Sequence, residues 1–377
     1  TTMAYKLVLP SFVCILAIFF TFSGAEFLPS TGSDATTAAG VCSFTLYPAF
    51  CRSTLQPFGN VGGTVNDYGR ITLRQSLSQA TTFLNIVRGF QRSASTSFAS
   101  TAGALADCEF LAQQNVDSLS FSLESVGEGD DLEDLHANDV QTLLSATLTN
   151  LDTCLDGLKT FGSSSSVSNG LNAPITVATQ LCSVSLTLFD RGWVRPKMMT
   201  TGRKLEERKD PLLEFGNDVI PLRMSDWESR QFESLSNRRV LLPSPSSSVN
   251  VTSMVIVDRR GRGNFTTIND AIAAAPNNTA MGSGFFVIYV MQGTYREYVM
   301  VPKNKQYIMM IGDGIGKTVI TGNRSVVDGS TTFNSSTFAV VGQGFVGINM
   351  TIRNTAGAIK QQAVALRNGA DMSTFLS

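Results

Sequence analysis

Hydrolysis by a Ser-His-Asp or Cys-His apparatus needs an imidazole, and the sequence contains one histidine, His136. It stands beside "EDL" in the front half, so the back half, from Pro243 onward, has no such apparatus. Neither half has a His/Cys cluster with zinc-ligand spacing, and no metal or cofactor is expected. A hydrolase built on this chain must therefore work through carboxylates. The back half offers Asp258, Asp270, Glu297, Asp313, Asp328 and Asp371, no two of them close in sequence. Residue chemistry alone selects no catalytic pair among them.

One stretch imitates a phosphate loop. "IGDGIGKTVI" ends its glycine turn in Gly316-Lys317-Thr318, but the position five before Gly316 is Ile311, where the phosphate loop needs glycine. The following "TVITGN" is strand-like where a helix should begin. A tight turn between two strands accounts for the same glycines.

The elements that must position any site fall into two kinds. From about Gly40 to Phe189 the apolar residues recur at helical spacing. Leu73, Leu77, Ala80, Leu84 and Val87 form one stripe, and Leu105, Cys108, Leu111 and Leu119 a second. The clearest runs through Val140, Leu143, Leu144, Thr147, Leu151, Leu155 and Leu158, with Asn138 or Asp139 placed to cap its start. Ile175, Ala178, Leu181 and Leu188 make a fourth, after the break "GSSSSVSNG". Four such stripes predict an all-α four-helix bundle. After Pro243 short β-rich runs take over: "FFVIYV", "YIMMIG", "TVITG", "STFAVVG", "GINMTIRN" and "AVALRN". Their spacing fits a sandwich or a parallel β-helix. "TTINDAIAAAP" is the one convincing helix among them.

Charge divides along the same line. Residues 26–242 hold 17 Lys+Arg against 24 Asp+Glu, and residues 243–377 hold 11 against 6. An acidic front and a basic back can attract each other, and a basic surface suits an anionic ligand. Nothing in the composition suggests a nucleic-acid partner.

The domain expectation is a signal peptide over 1–25, a bundle over 26–190, a linker over 191–242 and the β-rich domain over 243–377. Lys6, the apolar stretch Leu7–Phe22 and the small residues Ser23-Gly24-Ala25 suit a cleaved signal better than a lasting membrane anchor. Arg238-Arg239, in "NRRVLL", is a candidate processing pair. Secretion makes disulfides readable: Cys42 with Cys51 and Cys108 with Cys154 are the favoured couples, leaving Cys182 odd, and spacing alone does not fix this connectivity. Glycosylation sequons begin at Asn250, Asn264, Asn277, Asn323, Asn334 and Asn349, all in the back half.

The segments "GTYREYV", "GDGIGKTVITGN", "GSTTFNSSTFAVVGQGF", "NTAG" and "QQAVALR" occur in an order that resembles plant pectin methylesterases. "ADCEFL" and "LSATLTNLDTCLDG", with the cysteine placement, resemble the pectinesterase-inhibitor domain that precedes many of these enzymes. "RRVLL" resembles the processing site between the two. The resemblance implies a right-handed parallel β-helix, secreted to the cell wall, that de-esterifies methylated homogalacturonan. In that chemistry one Asp attacks the ester carbonyl, a second acts as general acid and base, and Gln side chains stabilise the oxyanion. Gln362 matches the first of those Gln positions and Thr332 a substrate-contacting one. Gly293, Tyr295 and Glu297 match an early Gly-x-Tyr-x-Glu signature whose role is structural or groove-lining. The segments that would carry both catalytic Asp residues are expected after "ADMSTFLS", so the β-helix is expected to be incomplete and these 377 residues inactive by themselves. The bundle alone would then be an inhibitor that binds a pectinesterase, in cis or in trans. A non-functional fragment is the third possibility.

Overall fold

The computed structural model describes residues 37–58, 63–93, 99–127, 129–161, 165–194, 222–223 and 249–376. The signal-peptide expectation over 1–25, the Arg238-Arg239 pair and nearly all of the 191–242 linker lie outside the described residues.

Two short helices, α1 (Ala38–Cys42) and α2 (Pro48–Leu55), precede four long ones. These are α3 (Val65–Ser93), α4 (Ala99–Val126), α5 (Asp134–Phe161) and α6 (Ser165–Trp193). Helix α3 packs on α4 and α6, and α5 on α4 and α6, closing a ring around one core. In α5 the buried residues are Ala137, Val140, Leu144, Thr147, Leu151, Cys154 and Leu158, alternating steps of three and four that keep one stripe facing inward. The expected cap at Asn138 or Asp139 is displaced. Helix α5 already begins at Asp134, an acidic first turn that suits the positive end of the helix dipole.

Disulfides join Cys42 to Cys51 and Cys108 to Cys154, and Cys182 is a free thiol buried in the core. Burial pushes that thiol up to about 11, so it stays protonated and inert. Some polar groups inside the bundle are bonded to each other, while Asn66 Oδ1, Gln75 Oε1 and Trp193 Nε1 are buried without a partner. The Ser76 and Ser185 hydroxyls meet at 2.9 Å across α3 and α6, and Asn115 Nδ2 donates to the Thr147 carbonyl at 3.2 Å. Within α6, residues 169–193 are long and apolar enough to cross a membrane, and half of the most apolar window is buried inside the bundle.

The back half is a stack of parallel strands. After β1 (Leu222–Arg223) and β2 (Val249–Val257) the chain forms a short helix, α7 (Ile268–Ala274). It then runs through β3 (Phe285–Val290), β4 (Gly293–Tyr295), β5 (Val299–Val301), β6 (Ile308–Gly312), β7 (Thr318–Gly322) and β8 (Phe338–Val340). It continues with β9 (Val346–Ile348), β10 (Thr351–Asn354), β11 (Leu366–Asn368) and β12 (Thr374–Leu376). Hydrogen bonding orders these as β1-β2-β3-β6-β9-β12, β10-β7-β4 and β11-β8-β5. From β3 onward, each circuit of the chain contributes one strand to each sheet, and the next circuit stacks on it in parallel register.

Buried residues point both ways from the largest sheet. Phe286, Ile288, Val290, Ile308 and Met310 face the interior of the coil, and Val287, Tyr289, Met309 and Ile311 form a second apolar layer behind it. Burial on both faces explains why "FFVIYV" reads as a continuous apolar run rather than an alternation. "GINMTIRN", expected as one strand, is two. Asn349, at φ +54°, turns the chain between β9 and β10. The phosphate-loop imitation is indeed the β6–β7 turn. A Cβ at Gly312 would lie 2.5 Å from the Asn349 carbonyl oxygen of the neighbouring circuit, so stacking requires the glycine there.

Candidate active site

The carboxylates singled out in the back half hold the coil together. Glu297 receives the Ile268 and Asn269 backbone N–H groups at 3.0–3.2 Å and so caps α7, which gives the Gly-x-Tyr-x-Glu signature a structural role. Asp258 is buried. That burial raises its carboxyl pKa, but Arg262 Nε at 2.6 Å and the Arg260 N–H hold it below the usual range on balance. Asp270 accepts from the Thr267 hydroxyl, Asp313 from the Tyr289 hydroxyl and the Gln292 N–H, and Asp371 from Gln343 Nε2 at 3.3 Å. Asp328 pairs with Lys360 and accepts from Ser325 Oγ at 2.7 Å. None of the six lines the cleft described next.

Gln362 and Thr332 do come together. Thr332 precedes a 3-10 turn, Phe333–Ser335, that leads into β8. Gln362 follows another, Ala358–Lys360, that leads toward β11. Strands β8 and β11 are neighbours, so the two lead-in segments are stacked. The Val326 N–H donates to the Gln362 carbonyl at 3.0 Å, and Ser335 Oγ receives the Val364 N–H at 3.0 Å. Asn354 Nδ2 reaches the carbonyls of Arg324, Ser335 and Val364 at 2.8–3.2 Å, tying three passes of chain at this point. The Thr332 hydroxyl donates to Gln362 Oε1. Just before Gln362, Gln361 sits at φ +58° and ψ −132°, a conformation costing about 1–3 kcal/mol for a residue with a side chain. The Gln362 side chain is exposed and free to present its amide N–H groups.

The wall opposite Gln362 is the bundle. A cleft of about 740 Å³ is lined from the coil by Thr331, Thr332, Gln362 and Arg367, and from the bundle by Asp107, Asp156 and Lys159. Helix α4 makes most of this contact along a second stripe, opposite its core stripe. Gly103 approaches the Thr331 methyl, and Asp107 accepts from the Thr331 hydroxyl and from Asn334 Nδ2. Phe110 packs on Phe333 with ring centroids 5.8 Å apart, and Asp117 pairs with Lys303 at 2.5 Å. Positions 103, 107, 110 and 117 share one helix face by their spacing.

The charges here are strongly affected by burial. Asp107 is 6% exposed, and loss of hydration pushes its carboxyl up to about 6, against the Thr331 hydrogen bond and the Arg367 charge. Arg367 is likewise pulled down to about 10 by burial, against the attraction of Asp107. Desolvation outweighs their mutual attraction in both groups, yet both remain charged at neutral pH. Sequence reasoning missed Asp107, Phe110, Thr331 and Arg367 and saw Asn334 only as a sequon. The second stripe of α4 was the available signal. Among the described residues no group of three or more His, Cys, Asp or Glu could hold a metal ion.

Two family models match the chain. One, described as plant invertase/pectin methylesterase inhibitor, covers residues 36–188, and the other, pectinesterase, covers residues 254–377. The chain is 46% identical over 366 residues to a probable pectinesterase/pectinesterase inhibitor 20 of Arabidopsis thaliana, covering 97% of this chain and 64% of that one. It is 44% identical over 365 residues to the Arabidopsis thaliana protein numbered 41 in the same series, covering 93% of this chain and 62% of that one. Among solved structures a pectin methylesterase from carrot is 50% identical, covering 32% of this chain and 37% of that chain, with a TM-score of 0.31. The chain thus spans a little under two thirds of the length of the first two relatives.

Proposed function

Residues 36–188 belong to the plant invertase/pectin methylesterase inhibitor family and residues 254–377 to the pectinesterase family, and from this premise we propose that the protein serves the de-esterification of methylated homogalacturonan in the cell wall. Water and a methyl ester give a carboxylate and methanol. The observation that carries the reading is the Thr332–Gln362 pair beside a cleft whose coil wall carries Arg367. With Oε1 engaged by Thr332, the Gln362 amide N–H groups are the donors left for a developing oxyanion. One such donor is worth about 10²–10³ in rate when aimed at that charge.

A donor cannot replace a nucleophile. The six carboxylates of the coil are bound into caps, turns and ion pairs, and those facing Gln362 come from the bundle. We therefore propose that these 377 residues alone do not cleave the ester, and that the coil is the front part of a right-handed parallel β-helix, the sense that parallel crossovers favour. Methanol assay of the purified chain on methylated pectin tests this. No release above a blank is expected, and clear release would overturn the statement of inactivity.

A second reading has its own support. The bundle lies across the cleft that holds Gln362, as an inhibitor acting in cis would. It also has its own core and both disulfides. Titrating residues 26–190 into an active pectinesterase should suppress methanol release, and no suppression at high excess would count against inhibition.

A further inference from the structure

We propose that Thr331, Asn334 and Arg367 form a carboxylate-binding subsite of the coil, specific for an unesterified uronate unit, and that Asp107 of the bundle fills it as a stand-in for that carboxylate. The inference rests on the pectin reading above.

Two donors of different kinds meet one acid from the other domain, and a cation lies beyond them. The Thr331 hydroxyl and Asn334 Nδ2 both donate to the Asp107 carboxylate, one to each oxygen, and Arg367 supplies the facing positive charge. All three belong to the coil, so from the coil's side the arrangement is a receptor for an anion with two oxygens.

Arg367 is held as a receptor cation should be. Its guanidinium lies 3.7 Å from the centre of the Phe333 ring and 5.7 Å from that of Phe110, which fixes its plane. Its Nε–H is buried and has no acceptor, and a terminal nitrogen meets Met300 Sδ at 4.0 Å, a weak acceptor. A half-buried guanidinium with an unused, buried Nε–H costs stability unless a ligand satisfies it. Asp107 gives it charge but satisfies the neighbouring hydroxyl and amide instead.

Position ties the subsite to the reaction. Arg367 is five residues beyond Gln362 and lines the same cleft, so an anion bound there would belong to a unit near the reacting ester. A methyl ester carries no charge and would gain nothing from the guanidinium. The subsite therefore discriminates a de-esterified neighbour from an esterified one.

The test is calorimetric titration of the whole chain at pH 7 with a galacturonate hexamer and with its fully methyl-esterified counterpart. Asp107→Ala should tighten binding of the unesterified hexamer at least tenfold over the unaltered chain, and of the esterified one less than threefold. Adding Arg367→Gln should remove that gain. Asp107→Asn, which keeps the side-chain volume, should show the same preference if Asp107→Ala does not fold. Equal tightening of both hexamers, or a gain that survives Arg367→Gln, would overturn the subsite and leave the pectin reading standing. Failure of every chain to bind either hexamer would overturn the pectin reading and the subsite with it.

Discussion

The Thr332 hydroxyl donates to Gln362 Oε1, so the threonine orients the amide whose N–H groups remain for substrate. The pair should therefore behave as donor and positioner. In a chain where these residues are continued by the remaining sequence of an active pectinesterase, Gln362→Ala should lower kcat by about 10²–10³, some 3–4 kcal/mol of barrier. Thr332→Val should cost less, about threefold to tenfold, with kcat falling more than KM rises. Steady-state methanol release measures both, and an unchanged kcat in Gln362→Ala would remove this residue from the chemistry.

Docking of the bundle should depend on pH through Asp107. Its carboxyl is near the ordinary 3.8 when hydrated and about 6 in the docked chain, because burial there disfavours the charge. The docked form thus holds the proton more tightly. This contribution is fully present below pH 4 and is lost as pH rises through 6, a change of up to about 3 kcal/mol. Arg367 from β11, and Lys159 and Asp156 from α5, share the cleft and moderate the size of the change without reversing its sign. Hydrogen exchange over residues 331–337 should quicken between pH 4 and pH 7 beyond its intrinsic increase, and Asp107→Asn should abolish the excess.

A glycan on Asn334 should exclude the docked arrangement. The nitrogen that would carry the sugar, Nδ2, is the one that donates to Asp107 on the part-buried face of α4. Lys303 and Asp117, 2.5 Å apart, offer a zero-length cross-link that reports docking. In chains made through a secretory route, the carbodiimide cross-link should be confined to molecules unmodified at Asn334, and Asn334→Gln should bring the whole population into the cross-linkable form. Cross-linked peptides bearing the Asn334 glycan would refute this.

The two disulfides should differ in value. Cys108–Cys154 closes a separation of 46 residues and Cys42–Cys51 one of 9, so chain entropy assigns about 4 kcal/mol to the first and about 2.5 to the second. Replacing Cys108 and Cys154 by alanine should lower the denaturant midpoint of the bundle more than replacing Cys42 and Cys51. The reverse order would show that strain or residual structure dominates.

What the sequence discloses follows from the range of each signal. Periodicity is local, so the stripes of α3 to α6 and the short runs of the coil are readable, as is the helix in "TTINDAIAAAP" that becomes α7. Element ends are less so. "GINMTIRN" hides a turn because asparagine tolerates positive φ without a glycine to mark it. The Gln362 and Thr332 positions came from motif resemblance rather than from spacing. The Asp107–Thr331 contact joins residues 224 apart, and neither the second stripe of α4 nor the motif around Thr331 says that the two meet. Only the fold brings an acidic helix face of one domain against a hydroxyl of the other.

That separation also sets an order in time. A ribosome adding roughly 5–20 residues per second needs about 10–45 s to travel from Asp107 to Thr331. Helical bundles with local contacts close in far less than a second, whereas a stack of parallel strands must wait for each circuit to emerge. The face that carries Asp107 and Phe110 is therefore complete before its counterpart exists, and the coil is born beside a finished surface against which its own groove can settle.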